Sequence, residues 1–197
     1  MKHVCPWWVG YFLLNPLRRF VQDPHTILRA FVADGMTVVE PGPGMGYFTL
    51  DLARLVGPSG RVVAVDLQPR MLQGLRRRAE KAGLIDRIEI RRAAIDRLGL
   101  DDLDDKVDFV LAFAMVHELP KPDCFLEEVR QVLKPGARIL LAEPKGHVTE
   151  RRFAGILHAA RGTGLLIEDG PDIWRSRTAV LVKRHRENRV LQETTMR

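Results

Sequence analysis

The stretch "VVEPGPGMGYFTL" (Val38–Leu50) decides the fold. Two valines run into Glu40, and then Gly42, Gly44 and Gly46 alternate with bulkier residues before a new apolar run begins. A buried strand that enters a glycine-rich turn is typical of the first crossover in an α/β sheet, where the turn accepts a ligand. Glycine permits a positive φ there and lets a ligand approach the backbone without a Cβ in the way.

The rest of the chain repeats this alternation of strand and helix. Apolar, β-branched runs predict strands over 37–40, 61–66, 87–91, 107–113, 138–143, 165–168 and 178–182. Amphipathic runs predict helices over 48–56, 71–82, 125–133 and 153–160. Right-handed crossovers then give a doubly wound, seven-stranded, mostly parallel sheet. The loop 169–177 has no helical pattern, so the last strand is predicted to be antiparallel.

The first 35 residues differ in character from this alternation. Asp23-Pro24 is an N-cap and first-turn pair and predicts a helix over 25–32, which Gly35 ends. Upstream, "WWVGYFLL" (7–14) is too short for a membrane span, which needs roughly 20 residues. We expect three parts: a helical lid or docking segment over 1–24, a ligand-binding domain over 25–183 and a basic tail over 184–197. The aromatic residues of the lid are expected to cover the crevice, meet a partner or make peripheral membrane contact.

Composition favours an ordinary soluble globule. The chain has 197 residues and a formal net charge of +6, with its arginines spread along the sequence. That spread favours solvated helix faces over a nucleic-acid stripe. Cys5 and Cys124 are the only cysteines, which fits a reducing compartment, so we expect a cytoplasmic protein. No His/Cys/Asp cluster has metal-ligand spacing, and no metal is expected.

The spacing of the turn distinguishes between nucleotide ligands. A dinucleotide fingerprint would place its third glycine at position 47, which is Tyr47. Glu40 at the strand end would repel a pyrophosphate and favour a cationic ligand. S-adenosylmethionine carries an ammonium and a sulfonium and has no phosphate. The second strand ends in Asp66, 20 residues after Gly46, where it can accept the ribose hydroxyls or cap the next helix. Leu67 follows it and is expected to pack against adenine.

Four segments together resemble a known family: "VVEPGPGMG", "VVAVDLQP", "VDFVLAFAMVHEL" and "LKPGARILLAEP". They are similar to the successive motifs of class I S-adenosylmethionine-dependent methyltransferases, which have a Rossmann-like fold. The likeness is strongest to the small-molecule branch that includes ubiquinone/menaquinone and arsenite methyltransferases. The resemblance implies that Glu40, Gly42 and Gly44 line the methionine part of the cofactor and that Asp66 binds its ribose.

Five further residues complete the expected cofactor site. Pro41 and Gly46 belong to the same turn, and Ala112 lies near the end of the fourth strand. The family often has an Asp beside the adenine, where this chain has Ala94. The adenine contact is therefore expected through the backbone of Ala94–Ile95, with Asp96 as the alternative.

Candidate catalytic residues must follow the fourth and fifth strands. His117 has a pKa range suited to a general base, and Glu143 ends the fifth strand. The alternatives are that His117 pairs locally and that a Glu143–Lys145 ion pair only positions the loop. The fourth strand lacks the N-P-P-Y type segment of amide and adenine methyltransferases, so we expect a small-molecule acceptor, hydrophobic or planar, and no nucleic acid. Arg175 and Arg177, or Arg18 and Arg19, are candidates for an anionic grip.

Two other classes of function remain open at this point. One is a methyltransferase fold that only binds the cofactor, as a sensor or scaffold, or that acts on a macromolecule. The other is a dinucleotide oxidoreductase, which Tyr47 and Glu40 both disfavour.

Overall fold

A computed structural model describes Leu14 and residues 16–185. The strands are β1 (Thr37–Pro41), β2 (Arg61–Asp66), β3 (Ile88–Arg92), β4 (Val107–Phe113), β5 (Leu133–Pro144), β6 (Leu165–Asp169) and β7 (Ser176–Lys183). The α-helices are α1 (Pro24–Leu28), α2 (Thr49–Leu55), α3 (Pro69–Lys81), α4 (Pro122–Val132) and α5 (Glu150–Gly162). Short 3-10 helices cover Pro16–Phe20, Ile85–Arg87, Asp101–Leu103 and Val116–Glu118.

All seven strands form one sheet in the order β3-β2-β1-β4-β5-β7-β6. β7 runs antiparallel to both of its neighbours, and the pairs from β3 to β5 are parallel. The predicted fold class, a doubly wound sheet with an antiparallel last strand, is therefore confirmed. The chain order reverses between β1 and β4, so a crevice opens at their carboxyl ends.

Both faces of the sheet are covered, which explains the continuously apolar strands. Val38 belongs to a core cluster on one face, with Leu52 and Phe109, and the next residue, Val39, belongs to a cluster on the other face. Consecutive residues of a strand point to opposite faces, so burial of both requires helices on both sides.

The lengths of α1 and β5 are among those that differ from the prediction. α1 ends at Leu28, because the Leu28 carbonyl accepts from the amides of Phe31 and Val32 at 2.8 and 3.0 Å and closes a tight turn. β5 begins five residues before the predicted start at 138, because Leu133 already pairs with Val107 across a register shift. β5 therefore includes the Lys-Pro-Gly segment (134–136), which lies between the predicted helix and the predicted strand.

The proposed division into lid, domain and tail stays a prediction. Residues 1–13 and 186–197 lie outside the described residues, and with them most of the expected lid and tail. Among the helices of the described part, none has both the length and the apolar character that crossing a membrane requires.

Candidate functional site

The three glycines of the turn after β1 all have positive φ, but their surroundings differ. A Cβ on Gly42 would lie 3.0 Å from the Cβ of Met115, and one on Gly46 would lie 2.5 Å from Leu75 Cδ1. A Cβ on Gly44 would have no neighbour within 4 Å. Packing within the chain leaves no room for a side chain at Gly46 and little at Gly42, whereas a Cβ at Gly44 would point into open space.

Glu40 is buried beneath this turn. Its side chain is 4% exposed, and the Thr49 hydroxyl donates to its Oε2 at 2.5 Å. Burial raises the pKa of Glu40 to about 8, which the Thr49 bond opposes and the neighbouring Asp66 reinforces. The expectation of a permanently charged strand end is thus corrected. A carboxyl with this pKa is mostly protonated at neutral pH, and a nearby cation would favour its ionised form.

Asp66 joins the end of β2 to the same turn. Its Oδ1 accepts from the Gln68 amide at 2.8 Å, and its Oδ2 accepts from the Gly44 amide at 3.3 Å. Burial raises the pKa of Asp66 to about 6; these backbone bonds act against the rise, and the charge of Glu118 adds to it. Gln68, not Asp66, occupies the N-cap position of α3. The helix-cap alternative therefore does not account for Asp66.

The segment predicted to contact adenine, Ala94–Ile95, lies close to Asp66. The residue before it, Ala93, donates its amide to the Asp66 carbonyl at 3.0 Å. The next three residues, 94–96, are exposed, and Ile95 is 69% exposed. The amide of Ala94 is already bonded to the Arg97 carbonyl at 3.0 Å, so it is not available to a ligand. A backbone contact at Ile95 and a side-chain contact from Asp96 both stay predictions, as does packing by the partly buried Leu67.

The prediction that Ala112 contacts the cofactor is wrong. Ala112 has no exposed surface and packs within the core on one face of the sheet. Accessible surface on β4 begins one residue later, at Phe113. The chain then turns sharply at Ala114, whose φ of 55° is unusual for a residue with a side chain, while its amide donates to the Ala142 carbonyl at 2.7 Å. Strained backbone of this kind is concentrated at functional sites.

The two candidate catalytic residues are bonded to each other. Glu143 Oε2 lies 2.5 Å from His117 Nδ1, and Glu143 Oε1 accepts from the amides of Val116 and His117 at 2.8 and 3.3 Å. A carboxylate accepts, so Nδ1 is the donor of this bond, and the tautomer with its proton on Nδ1 leaves a lone pair on Nε2. Glu143 is fully buried and cannot touch an acceptor, which corrects its assignment as a catalytic residue. It positions His117.

Neighbouring side chains further restrict this loop. The Arg152 guanidinium donates to the His117 carbonyl, and the ring of His147 stacks against that of His117 with centroids 6.1 Å apart. Lys145 is exposed, and the described residues contain no ion pair between it and Glu143. Glu143 is therefore engaged by the loop after β4 rather than by its own.

The arginines proposed as an anionic grip have other partners. Arg177 donates to the Val148 carbonyl at 3.1 Å and lies 3.9 Å from Glu150, so it links β7 to the segment before α5. Arg175 is exposed beside the ring of Trp174, 5.2 Å from its centroid. Arg18 stacks on Tyr47, with its guanidinium carbon 4.2 Å from the ring centroid.

The segment around Arg18 packs over the start of α2. The Tyr47 hydroxyl donates to the Gln22 carbonyl at 2.9 Å, and Gln22 Nε2 donates to the Trp174 carbonyl at 3.0 Å. The sequence analysis missed this attachment, although the pair Tyr47-Phe48 directly after the glycine turn was its signal. The aromatic residues expected to form the lid are at positions 7–12, outside the described residues.

No cluster of metal ligands exists among the described residues, where groups of three or more His, Cys, Asp or Glu side chains were sought. Cys124 is exposed on α4.

Residues 33–177 match a family model described as a methyltransferase domain. The chain is 37% identical over 119 residues to a ubiquinone/menaquinone biosynthesis C-methyltransferase of Hahella chejuensis, a match that covers 60% of this chain and 47% of that protein. It is 30% identical over 114 residues to an arsenite methyltransferase of Halobacterium salinarum, covering 58% and 28%. The chain thus spans about half the length, or less, of these relatives.

Among solved structures, a "SAM dependent methyltransferase" from Aquifex aeolicus superposes with a TM-score of 0.79 at 25% identity. The superposition covers 91% of this chain and 98% of that one. The similarity therefore extends over the whole sheet and its crevice rather than over one motif.

Proposed function

The chain belongs to the methyltransferase-domain family, and from that premise we propose that it binds S-adenosylmethionine and transfers its methyl group to a small molecule. The family resemblance that its four motifs indicated is confirmed. The matches span about half the length of the relatives or less, so methyl transfer by this chain is a proposal. One observation carries it: the open space at Gly44, beside Asp66 at the end of β2 and above the buried carboxyl of Glu40 at the end of β1.

The residues around that space fit the cofactor. Gly44 leaves room that a Cβ would fill, so a ligand can contact the backbone there. Asp66 has the position to accept ribose hydroxyls, at the same strand end that binds ribose in dinucleotide folds. Glu40 complements the positively charged end of the ligand. The cofactor, when bound, supplies an electrophilic methyl group on its sulfonium.

His117 is the proposed general base. Its Nδ1 is held by Glu143, so its Nε2 can take a proton from the hydroxyl or acidic carbon of an acceptor. The segment between β4 and His117 is apolar and consists of Phe113, Ala114 and Met115. Apolar side chains beside the base would exclude water and suit a hydrophobic or planar acceptor. The ubiquinone/menaquinone and arsenite methyltransferases among the relatives support a small-molecule acceptor. We keep the cytoplasmic location and the peripheral membrane contact as predictions.

Calorimetry with S-adenosylhomocysteine tests the cofactor site. We expect saturable binding by the wild-type chain and a loss of affinity in Asp66→Ala. Asp104→Ala is the matched control, because Asp104 is an exposed aspartate away from the crevice. Absence of binding by the wild-type chain would refute the proposal.

A non-catalytic cofactor-binding module is the second candidate, favoured by the wholly apolar segment after β4. Release of S-adenosylhomocysteine in an acceptor screen separates the two, since a sensor releases none. A chain that binds the cofactor but turns over neither small nor macromolecular acceptors would fit the sensor.

A further inference from the structure

A cleft of about 240 Å³ lies behind the glycine turn and is lined by three arginines and a single carboxylate. Its lining residues are Leu14, Arg19, Tyr47, Leu50, Asp51, Arg54 and Arg78. They come from the segment before α1, from the turn, from α2 and from α3. The proposed cofactor and base residues do not line this cleft.

The charges in the cleft are unbalanced. Asp51 forms ion pairs with both Arg19 and Arg54, at 3.3 Å for the Arg54 pair, and its side chain is 8% exposed. Arg78 uses one N–H to bond the Met45 carbonyl at 2.5 Å and has no carboxylate partner among the described residues. Burial lowers the pKa of Arg78; Asp51 opposes the shift, and the charges of Arg19 and Arg54 add to it.

We propose that this cleft binds a small oxyanion, a phosphate or carboxylate group, between Arg54 and Arg78. Three positive charges face one negative charge there, so an anion relieves the repulsion between the guanidinium groups. Each guanidinium has five N–H donors in a planar fork, of which Asp51 and Met45 use few. The volume is below the 300–1,000 Å³ usual for drug-sized ligands, which indicates a small group. Asp23 also acts on Arg19 but lies outside the cleft.

Titration of the full chain with inorganic phosphate, at constant ionic strength in chloride, tests this site. We expect saturable binding by calorimetry, at least about tenfold weaker in Arg54→Gln. Arg77→Gln is the matched control, since Arg77 is an exposed arginine on α3 next to Arg78. It should bind as the wild type does. Loss of the negative charge in Asp51→Asn should tighten binding severalfold.

Two further arms identify the source of the anion and the independence of the site. A titration with malonate in place of phosphate tests whether the site binds a carboxylate. Saturable binding of either anion, lost in Arg54→Gln, supports the proposal. Binding should persist with S-adenosylhomocysteine present. The proposal is overturned if neither anion saturates, if Arg54→Gln and Arg77→Gln behave alike, or if S-adenosylhomocysteine competes. A chain that binds phosphate but no S-adenosylhomocysteine would refute the cofactor proposal alone.

Discussion

The two sides of the crevice use carboxyl groups at strand ends in opposite ways. On the cofactor side, Glu40 is buried with a single hydrogen-bond donor, the Thr49 hydroxyl, and burial raises its pKa to about 8. On the acceptor side, Glu143 is fully buried, and two backbone amides and the His117 ring bond to it. Glu40 therefore keeps acceptor capacity for a ligand, whereas Glu143 holds a neighbouring residue in place.

The sharpest test of this contrast is Glu143→Gln. A glutamine oxygen can still accept from the two amides, but its NH₂ then donates to His117 Nδ1 and moves the ring proton to Nε2. We expect kcat to fall about 10²- to 10⁴-fold, the range that a general base contributes, with an unchanged Kd for S-adenosylhomocysteine. His147→Ala is the control, because it removes the stacked ring without changing the tautomer. If Glu143→Gln lowered the affinity for S-adenosylhomocysteine as much as it lowered kcat, the two sides of the crevice would not be distinct.

Asp66→Asn tests the cofactor side. An amide keeps the shape of the side chain but weakens hydrogen bonds from ribose hydroxyls, and bonds to a charged group contribute about 1.5–3 kcal/mol. We expect the Kd for S-adenosylhomocysteine to rise about 10- to 100-fold. Asp104→Asn should leave it unchanged. Calorimetry measures both, and an Asp66→Asn chain that binds normally would remove Asp66 from the site.

Gly46→Ala and Gly44→Ala separate packing from ligand space within one turn. Both variants place a side chain at positive φ, but only the Gly46 variant brings a Cβ within 2.5 Å of Leu75 Cδ1. We expect Gly46→Ala to lower the free energy of unfolding by about 1–3 kcal/mol more than Gly44→Ala does. Gly44→Ala should weaken cofactor binding instead. Denaturant unfolding and calorimetry on both variants provide the comparison.

The pH dependence of cofactor binding tests the burial of Glu40 on the cofactor side. Below pH 8 the Glu40 carboxyl of the free chain is protonated, and a cationic ligand must displace that proton. The affinity for S-adenosylmethionine should therefore rise between pH 6 and 8, by at most about tenfold per unit. The stability of the ligand-free chain should fall over the same window, because the unfolded carboxyl is already ionised while the folded one stays protonated. Glu40→Gln should flatten both profiles, whereas profiles unchanged by that substitution would contradict the assignment.

Local pattern predicted the glycine turn after β1 and the position of Asp66 at the end of β2. The glycine turn and the strand end at Asp66 are encoded within a few residues, so their positions follow from the sequence. The bond between His117 and Glu143 joins residues 26 apart and depends on the pairing of Phe113 with Ala142, which no local pattern gives. Ala112 was misassigned because an apolar run does not reveal where its strand leaves the core.

The protonation of Glu40 was also beyond sequence reasoning. A carboxylate at a strand end looks charged in a sequence, but burial at 4% exposure arises only when the turn and Thr49 close over it. Burial in the folded chain determines the free energy of ionisation of Glu40, and this burial cannot be inferred from the sequence around it.

The position of β7 between β5 and β6 has a consequence for biosynthesis. β6 leaves the ribosome first, yet its only partner in the sheet is β7, and β7 in turn needs the edge of β5. While residues beyond 170 are still in the exit tunnel, the edge of β5 is therefore open to pairing with other chains. The last hairpin completes the sheet and also supplies the Trp174 carbonyl that anchors Gln22. The last hairpin thus covers the edge of β5 and anchors Gln22 in the same late step.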